Sequence, residues 1–115
     1  MIVHPSEKSK QDVREIVLYI AQENRSAALH FLDCVEETYS LLGEFPDIGH
    51  APVFDFVEGL KTVLVKNFKH YHVFYHVTDQ VIRIERVADG QRHLPLLVGS
   101  ILQMNGLQSG AYATR

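Results

Sequence analysis

Histidines and basic residues gather in the second half of the chain, and their types suit proton transfer and anion binding. The histidines there are His70, His72, His76 and His93. A histidine side chain changes charge near neutral pH, so it can serve as a general acid or base. Arg and Lys side chains bind phosphate and carboxylate groups, so the same segment could also hold an anionic partner or substrate.

The spacing of His72 and His76 argues against a shared metal ion. Residues 71–77 show the two-residue period that predicts a β-strand. Four strand residues span about 13 Å at roughly 3.3 Å per residue, whereas Zn–N bonds are about 2.0–2.1 Å. We therefore expect no metal and no cofactor. The simplest interpretation of these histidines is that they are exposed or hydrogen-bonded strand residues.

Two amphipathic helices are predicted to precede the strands. The first carries apolar residues at helical spacing, namely Val13, Ile16, Val17, Ile20 and Ala21. Ser6 or Ser9 can cap its start, and Asn24 can cap a second apolar-faced helix that ends near Gly43. Because only two or three residues join the helices, they must fold back as an antiparallel hairpin.

Beyond Gly59 the period of the pattern changes from 3.6 to 2. Three runs predict strands, at 60–68, 71–77 and 81–87, with turns at Lys69-His70 and Thr78-Asp79-Gln80. Ile2-Val3 can add a short edge strand. The predicted fold class is therefore α+β, an N-terminal helical hairpin packed on a three- to four-stranded antiparallel sheet.

The length of 115 residues fits one domain, which we assign to residues 1–97 with a C-terminal extension at 98–115. Cys34 is the only cysteine, so no intramolecular disulfide can form, and we expect it to be a small buried side chain. The N-terminus lacks a signal-peptide pattern, and no apolar run reaches the roughly 18–20 residues of a membrane span. We expect a cytoplasmic protein without membrane contact.

Charge is distributed unevenly between the two halves of the chain. Residues 1–58 contain four Lys or Arg and eleven Asp or Glu, whereas residues 59–115 contain seven and three, so the halves carry −7 and +4. A basic second half could face an acidic partner or a phosphate backbone. Alternatively, the cations simply occupy the solvent side of the strands.

Several short motifs follow one another in a fixed order along residues 6–97. They are Asp12-Val13-x-x-Ile16-x-x-Tyr19-Ile20, Asn24, Ala27-Ala28-x-x-Phe31, Leu41-Leu42-x-x-Phe45-Pro46-x-x-Gly49, Gly59-Leu60-Lys61, Tyr71-x-Val73-Phe74-Tyr75 and Ile84-x-Arg86-Val87-x-Asp89-Gly90-x-Arg92. In this order they resemble the ParE-type plasmid-stabilisation toxins of the RelE/ParE superfamily. Two positions depart from the family pattern, since Lys61 stands where Arg is usual and His93 where Asp is common.

The resemblance implies the toxin component of a type II toxin–antitoxin system, neutralised by a cognate antitoxin that the basic half would attract. RelE-like members cleave messenger RNA on the ribosome with lysines and arginines of the sheet and a C-terminal Tyr or another acid/base group. Here Lys66 and Arg92 match part of that set, His72 replaces an arginine, and Leu94-Pro95-Leu96 stands in place of the Tyr. The resemblance therefore favours the ParE-like activity, which is inhibition of DNA gyrase without catalysis.

Under this interpretation the residues that contact gyrase or its DNA are Lys61, Arg83, Arg86 and Arg92. The alternative is a ribosome-dependent mRNA endoribonuclease that uses His72, Arg92, His93 and Lys66, with the ribosome and mRNA as partners. A third possibility is a non-toxic binding module of the same fold. Arg86 could instead form a structural ion pair with Glu85 or Asp89, and we expect Asp12 and Glu15 to lie on a solvated helix face.

Overall fold

The computed structural model describes residues 1–52 and 57–90. In chain order the elements are β1 (Ile2–Pro5), α1 (Glu7–Ala21), α2 (Arg25–Glu44), β2 (Lys61–Val65), β3 (Phe68–Val77) and β4 (Val81–Asp89). The predicted α+β order, a helical hairpin followed by a meander, is confirmed. The predictions for Arg92, His93 and the extension at 98–115 lie outside the described residues.

Side-chain caps define where both helices begin. Ser6 accepts a hydrogen bond from the backbone N–H of Ser9 at 3.1 Å, which identifies Ser6 rather than Ser9 as the N-cap of α1. Asn24 caps α2 in the same way, accepting from the N–H of Ala27 at 2.9 Å. Helix α2 continues one residue past Gly43 and ends at Glu44.

The four strands are ordered β1-β4-β3-β2 across the sheet. Strands β2, β3 and β4 pair antiparallel as predicted, whereas β1 pairs parallel with β4. The sheet is therefore mixed, because β1 is joined to the rest through both helices rather than through a hairpin, and such a crossover permits parallel pairing.

The turn between β2 and β3 lies at Lys66-Asn67, and the predicted turn at Lys69-His70 is wrong. Asn67 has a φ of +66°, in the left-handed region that Asn tolerates better than most residues. Strand β3 consequently starts at Phe68, three residues earlier than the pattern indicated.

The hydrophobic core lies between the helices and one face of the sheet. Buried α2 residues meet buried strand residues there, and the central members are Phe31, Cys34, Val35, Leu42, Val73, Tyr75, Ile82, Ile84 and Val87. Phe31 packs edge-on against Phe68 and Tyr71, with ring centroids 5.1 Å apart in each case. The predicted burial of Cys34 is confirmed. Neither of the two described helices is both long and apolar enough to cross a membrane.

A β-bulge interrupts the alternation of β4. Phe74 is opposite Arg86, but Tyr75 is opposite Ile84, so Glu85 is the extra residue on β4. Core residues therefore occur at Ile84 and then at Val87 rather than at every second position. The bulge lies in the strand segment that holds most of the charged side chains described next.

Candidate functional site

Arg86 forms a buried two-bond ion pair with Asp12 of α1. The guanidinium donates from Nε to Oδ2 of Asp12 at 2.7 Å and from Nη2 to Oδ1 at 2.9 Å. The Arg86 side chain is only 8% exposed. Arg86 thus has the structural ion pair anticipated as an alternative, with Asp12 as a partner that was not anticipated. Its contact with a target stays a prediction.

The expectation that Asp12 lies on a solvated helix face is wrong. Besides Arg86, its carboxylate accepts the backbone N–H of Val87 at 3.0 Å. Strand β1 pairs with β4 only as far as Ile84, so the edge of β4 beyond that point needs other partners. Ser6 supplies one, donating its hydroxyl to the Glu85 carbonyl at 3.0 Å. The start of α1 therefore covers the part of β4 that β1 does not reach.

Lys61 and Lys66 form exposed ion pairs. Lys61 Nζ lies 3.8 Å from a carboxylate oxygen of Asp47, and Lys66 Nζ lies 2.7 Å from Oε2 of Glu37. The hydrogen bond from Lys66, reinforced by its charge, lowers the pKa of Glu37. The same hydrogen bond raises the pKa of Lys66. Solvent screens pairs of this kind, so they contribute little to folding.

The acidic and basic halves of the sequence neutralise one another in the fold. The pairs Asp12–Arg86, Asp47–Lys61 and Glu37–Lys66 each join an acid from residues 1–58 to a cation from residues 59–115. With Arg83, which pairs with Glu85 of its own half, four of the described cations of the second half have an acidic partner in the same chain. Part of the charge asymmetry in the sequence is neutralised within the chain, which weakens the argument that the second half attracts an acidic partner.

Glu85 is a buried carboxylate that the strand pattern did not reveal. It is 1% exposed, and its oxygens lie 3.1 Å from Nε of Arg83 and 2.8 Å from Nδ1 of His76. His76 Nε2 lies 3.3 Å from the carbonyl oxygen of Glu58, which connects the sheet to the loop before β2. The bulge at Glu85 interrupts the alternation of core-facing and outward-facing residues along β4, and this changes the position of the carboxylate. No turn or spacing signal in the sequence indicates the bulge.

His72 lies on the sheet face opposite the core, against Thr62, Phe74 and Gly90. Its Nδ1 is 3.4 Å from the Thr62 hydroxyl, and its ring stacks on Phe74 at 6.0 Å. Burial lowers the pKa of His72, against a smaller opposing effect of Asp89, so the fold favours the neutral form of the ring. Gly90 approaches so closely that a side chain there would collide with the ring.

The two described members of the ribonuclease set, His72 and Lys66, do not converge on a common point. The Lys66 ammonium reaches Glu37 on α2, whereas the His72 ring is turned to the sheet face away from the helices. Phosphodiester cleavage needs a proton acceptor and cations around one phosphate. In the part of the chain that the structure describes, no cluster of His, Cys, Asp or Glu could hold a metal ion.

A basic cleft of about 620 Å³ opens at the start of α1, beside β1 and β4. Its lining includes His4, Lys8, Lys10, Arg14 and Arg83. Of these, only Arg83 was selected from the sequence. A signal was present, because Lys10 and Arg14 are four residues apart and share one helix face, but the acidic balance of residues 1–58 concealed it.

A second surface, which we call the α2 face, combines exposed apolar residues with carboxylates. Leu29 and Leu32 are 62% and 37% exposed, and Glu36 follows at the same helical spacing. This face continues into a cleft of about 570 Å³ between α2 and β1. The cleft is lined by Met1, Val3, Glu36, Tyr39, Ser40, Gly43 and Glu44.

The sequence and the fold are similar to those of known toxins. The family model described as ParE toxin of type II toxin-antitoxin system, parDE, matches residues 3–94. A solved structure titled chromosomal ParDE TA system from P. aeruginosa is similar in fold, with a TM-score of 0.64 and 19% sequence identity. The match covers 77% of this chain and 95% of that chain. Among curated proteins, none matches the sequence.

Proposed function

Because the chain belongs to the ParE toxins of type II toxin–antitoxin systems, we propose that it arrests bacterial growth by binding DNA gyrase in the cytoplasm. The observation that supports binding over RNA cleavage is the separation of His72 from Lys66, because these two described members of the ribonuclease set do not meet at one phosphate. Inhibition by binding requires only an exposed complementary surface, and Arg83 contributes to one at the basic cleft.

We also propose that an antitoxin silences the toxin by laying a helix on the α2 face. Leu29, Leu32 and the adjoining cleft offer the exposed apolar row that a helix-in-groove partner needs. Exposed apolar residues that form a continuous face are typical of protein contacts.

Strand addition is a weaker alternative, since both sheet edges are partly occupied. At the β2 edge, Thr62 exchanges backbone hydrogen bonds with His50 at 2.8 and 3.1 Å, and Lys66 donates its N–H to Thr38. At the other edge, β1 has four residues, and its Pro5 lacks an N–H. Short or blunted edges of this kind disfavour pairing with another chain.

The charge of the α2 face predicts the charge of the antitoxin segment that covers it. Glu36 and Glu44 line the cleft. Asp33 lies between them and Leu29 in the sequence and is exposed. We expect Lys or Arg on the covering helix, rather than the acidic segment that the sequence of the second half suggested.

The experiment that tests the proposed target is expression of the full chain in a bacterium, followed by two assays on the same cells. We expect gyrase-dependent DNA breaks to accumulate while transcripts stay intact, and we expect His72→Ala to arrest growth as the wild type does. Transcript cleavage that is lost in His72→Ala or His93→Ala, with antitoxin binding preserved, would establish the endoribonuclease instead. Unaffected growth would indicate a non-toxic binding module.

For the antitoxin proposal, Leu32→Glu should weaken capture of a cognate antitoxin at least about 10-fold, because it places a charge in the apolar row. Leu64→Glu is the matched control, since Leu64 is similarly exposed on β2. Equal loss in both variants would contradict docking on the α2 face.

A further inference from the structure

The basic cleft at the start of α1 holds cations that the rest of the fold leaves available. In residues 1–52 and 57–90, neither Lys8 nor Arg14 forms an ion pair with a carboxylate. Lys10 meets Glu7 at 3.6 Å, but both side chains are largely exposed, so this pair is weak. Lys61 and Lys66, by contrast, are each matched by an acid. Arg25 and Lys69 are exposed as well, but they lie outside the cleft.

Arg83 completes the cleft from the sheet side. Its Nε is engaged by Glu85 at 3.1 Å, which fixes the direction of the side chain, and no hydrogen bond from the described residues engages its Nη groups. His4 is the register partner of Arg83 on β1, so it adds a hydrogen-bonding ring beside the guanidinium. A guanidinium held at one nitrogen is well suited to a bidentate contact with a phosphate.

The polarity of the cleft distinguishes a nucleic acid from a protein partner. Pro5 is its one apolar lining residue among those described, whereas protein interfaces have an apolar core rich in aromatic residues. Interfaces with nucleic acids are more polar and far more positively charged. Aromatic platforms, on which unpaired bases stack in single-strand binding, are also missing from the described lining.

We propose that this cleft binds the phosphate backbone of a nucleic-acid duplex, independently of its base sequence. Lys10 and Arg14 are separated by about 6 Å along the helix axis at 1.5 Å per residue, so they can neutralise different phosphates of one strand. Lys8 and Arg83 contact the same backbone from the two sides of the cleft. Arg83 and this cleft also belong to the surface proposed for gyrase, but binding to the duplex requires only the nucleic acid and can be measured without gyrase.

Fluorescence anisotropy of the full chain with a labelled duplex of about 20 base pairs tests this site. Each phosphate contact contributes about −0.9 to the slope of log K against log salt concentration. In Lys8→Gln/Arg14→Gln we expect a slope that is smaller in magnitude by about two and an affinity at least about 10-fold weaker at 0.1 M salt. Arg25→Gln/Lys69→Gln removes the same charge from exposed positions elsewhere and should leave both values near those of the wild type.

Equal losses of duplex affinity in the two double variants would contradict the proposed site, because they would show that only the net charge of the protein matters. A poly-Glu peptide that competes as well as the duplex at equal charge would also overturn it and indicate an acidic protein ligand. Stronger binding to a single strand than to a duplex would contradict the backbone geometry. DNA and RNA duplexes measured side by side identify which nucleic acid the cleft takes. The assay contains no gyrase, so its result is independent of gyrase inhibition.

Discussion

Two ion pairs connect the helical hairpin to the sheet, and they differ in surroundings rather than in length. Asp12–Arg86 and Glu37–Lys66 both have closest contacts of 2.7 Å. The first is buried, makes two bonds and also satisfies the backbone N–H of Val87, whereas the second is exposed on both sides. Because the first pair is buried, removing one of its charges strongly destabilises the fold, since the remaining charge cannot be hydrated by water. When one partner of the exposed second pair is removed, water can hydrate the charge that remains.

The largest effect should follow from Asp12→Ala, which removes the carboxylate paired with the buried Arg86 charge and leaves the Val87 N–H without this acceptor. Removing one member of a buried pair costs about 3–5 kcal/mol. We expect the free energy of unfolding, measured by urea denaturation, to fall by about that amount. Glu15→Ala, on an exposed position of the same helix, should change it by no more than about 0.5 kcal/mol. Equal effects would contradict the central role of the Asp12 contact.

A double variant sharpens the interpretation of the buried pair. In Asp12→Leu/Arg86→Met neither charge remains, so the loss of stability should be smaller than the sum of the two single losses by about 1–3 kcal/mol. A double-mutant cycle by urea denaturation measures this coupling. Additive single losses would mean that the two side chains act independently despite their 2.7 Å contact.

Thr38→Val tests the uncharged hydrogen bonds of the Thr38 hydroxyl, which lie next to the exposed Glu37–Lys66 pair. The buried Thr38 hydroxyl donates to the Cys34 carbonyl at 2.7 Å and accepts the Lys66 N–H at 3.1 Å. Valine has a similar shape but leaves the part-buried Lys66 N–H without its acceptor, so we expect a loss of about 1–2 kcal/mol in thermal or urea denaturation. A loss as large as that of Asp12→Ala would show that the Lys66 turn, and not the buried pair, dominates the docking of the helices.

The smallest effect is expected for Glu37→Gln. Because the pKa of Glu37 is lowered in the fold, its charge contributes stability above the unfolded value of about 4.5, and this contribution disappears as pH falls through the folded value. The difference between wild type and variant should therefore be small at pH 7, weaker in high salt, and should disappear in acid once Glu37 is protonated in the folded state as well. A difference that persists in acid, after Glu37 is protonated in the folded state, would assign the effect to packing rather than to charge.

Much of the fold could be predicted from local patterns. Asn24 marks the start of α2 because its side chain satisfies an N–H of the first turn, and Ser6 does the same for α1. The two-residue period beyond Gly59 correctly indicated the meander. The turn at Lys66-Asn67 was missed because Asn67 alone supplies the left-handed residue there, without the glycine that usually signals such a turn.

The sequence by itself determined the element types, the hairpin, the family resemblance and the burial of Cys34, since each depends on neighbours within a few residues or on motif order. Tertiary structure alone decided which charges are available. Asp12 and Arg86 are 74 residues apart in the chain, yet they neutralise each other, and the bulge at Glu85 determines where Arg86 points. Lys8 and Arg14 belong to the acidic half, yet they help to form a basic cleft, because neither forms an ion pair in the described structure and Glu7, which also lines the cleft, pairs with Lys10. Local pattern carries no information on such pairing, because electrostatic interaction depends on distance in space and on burial, and both are set by the packing of α1 on β4.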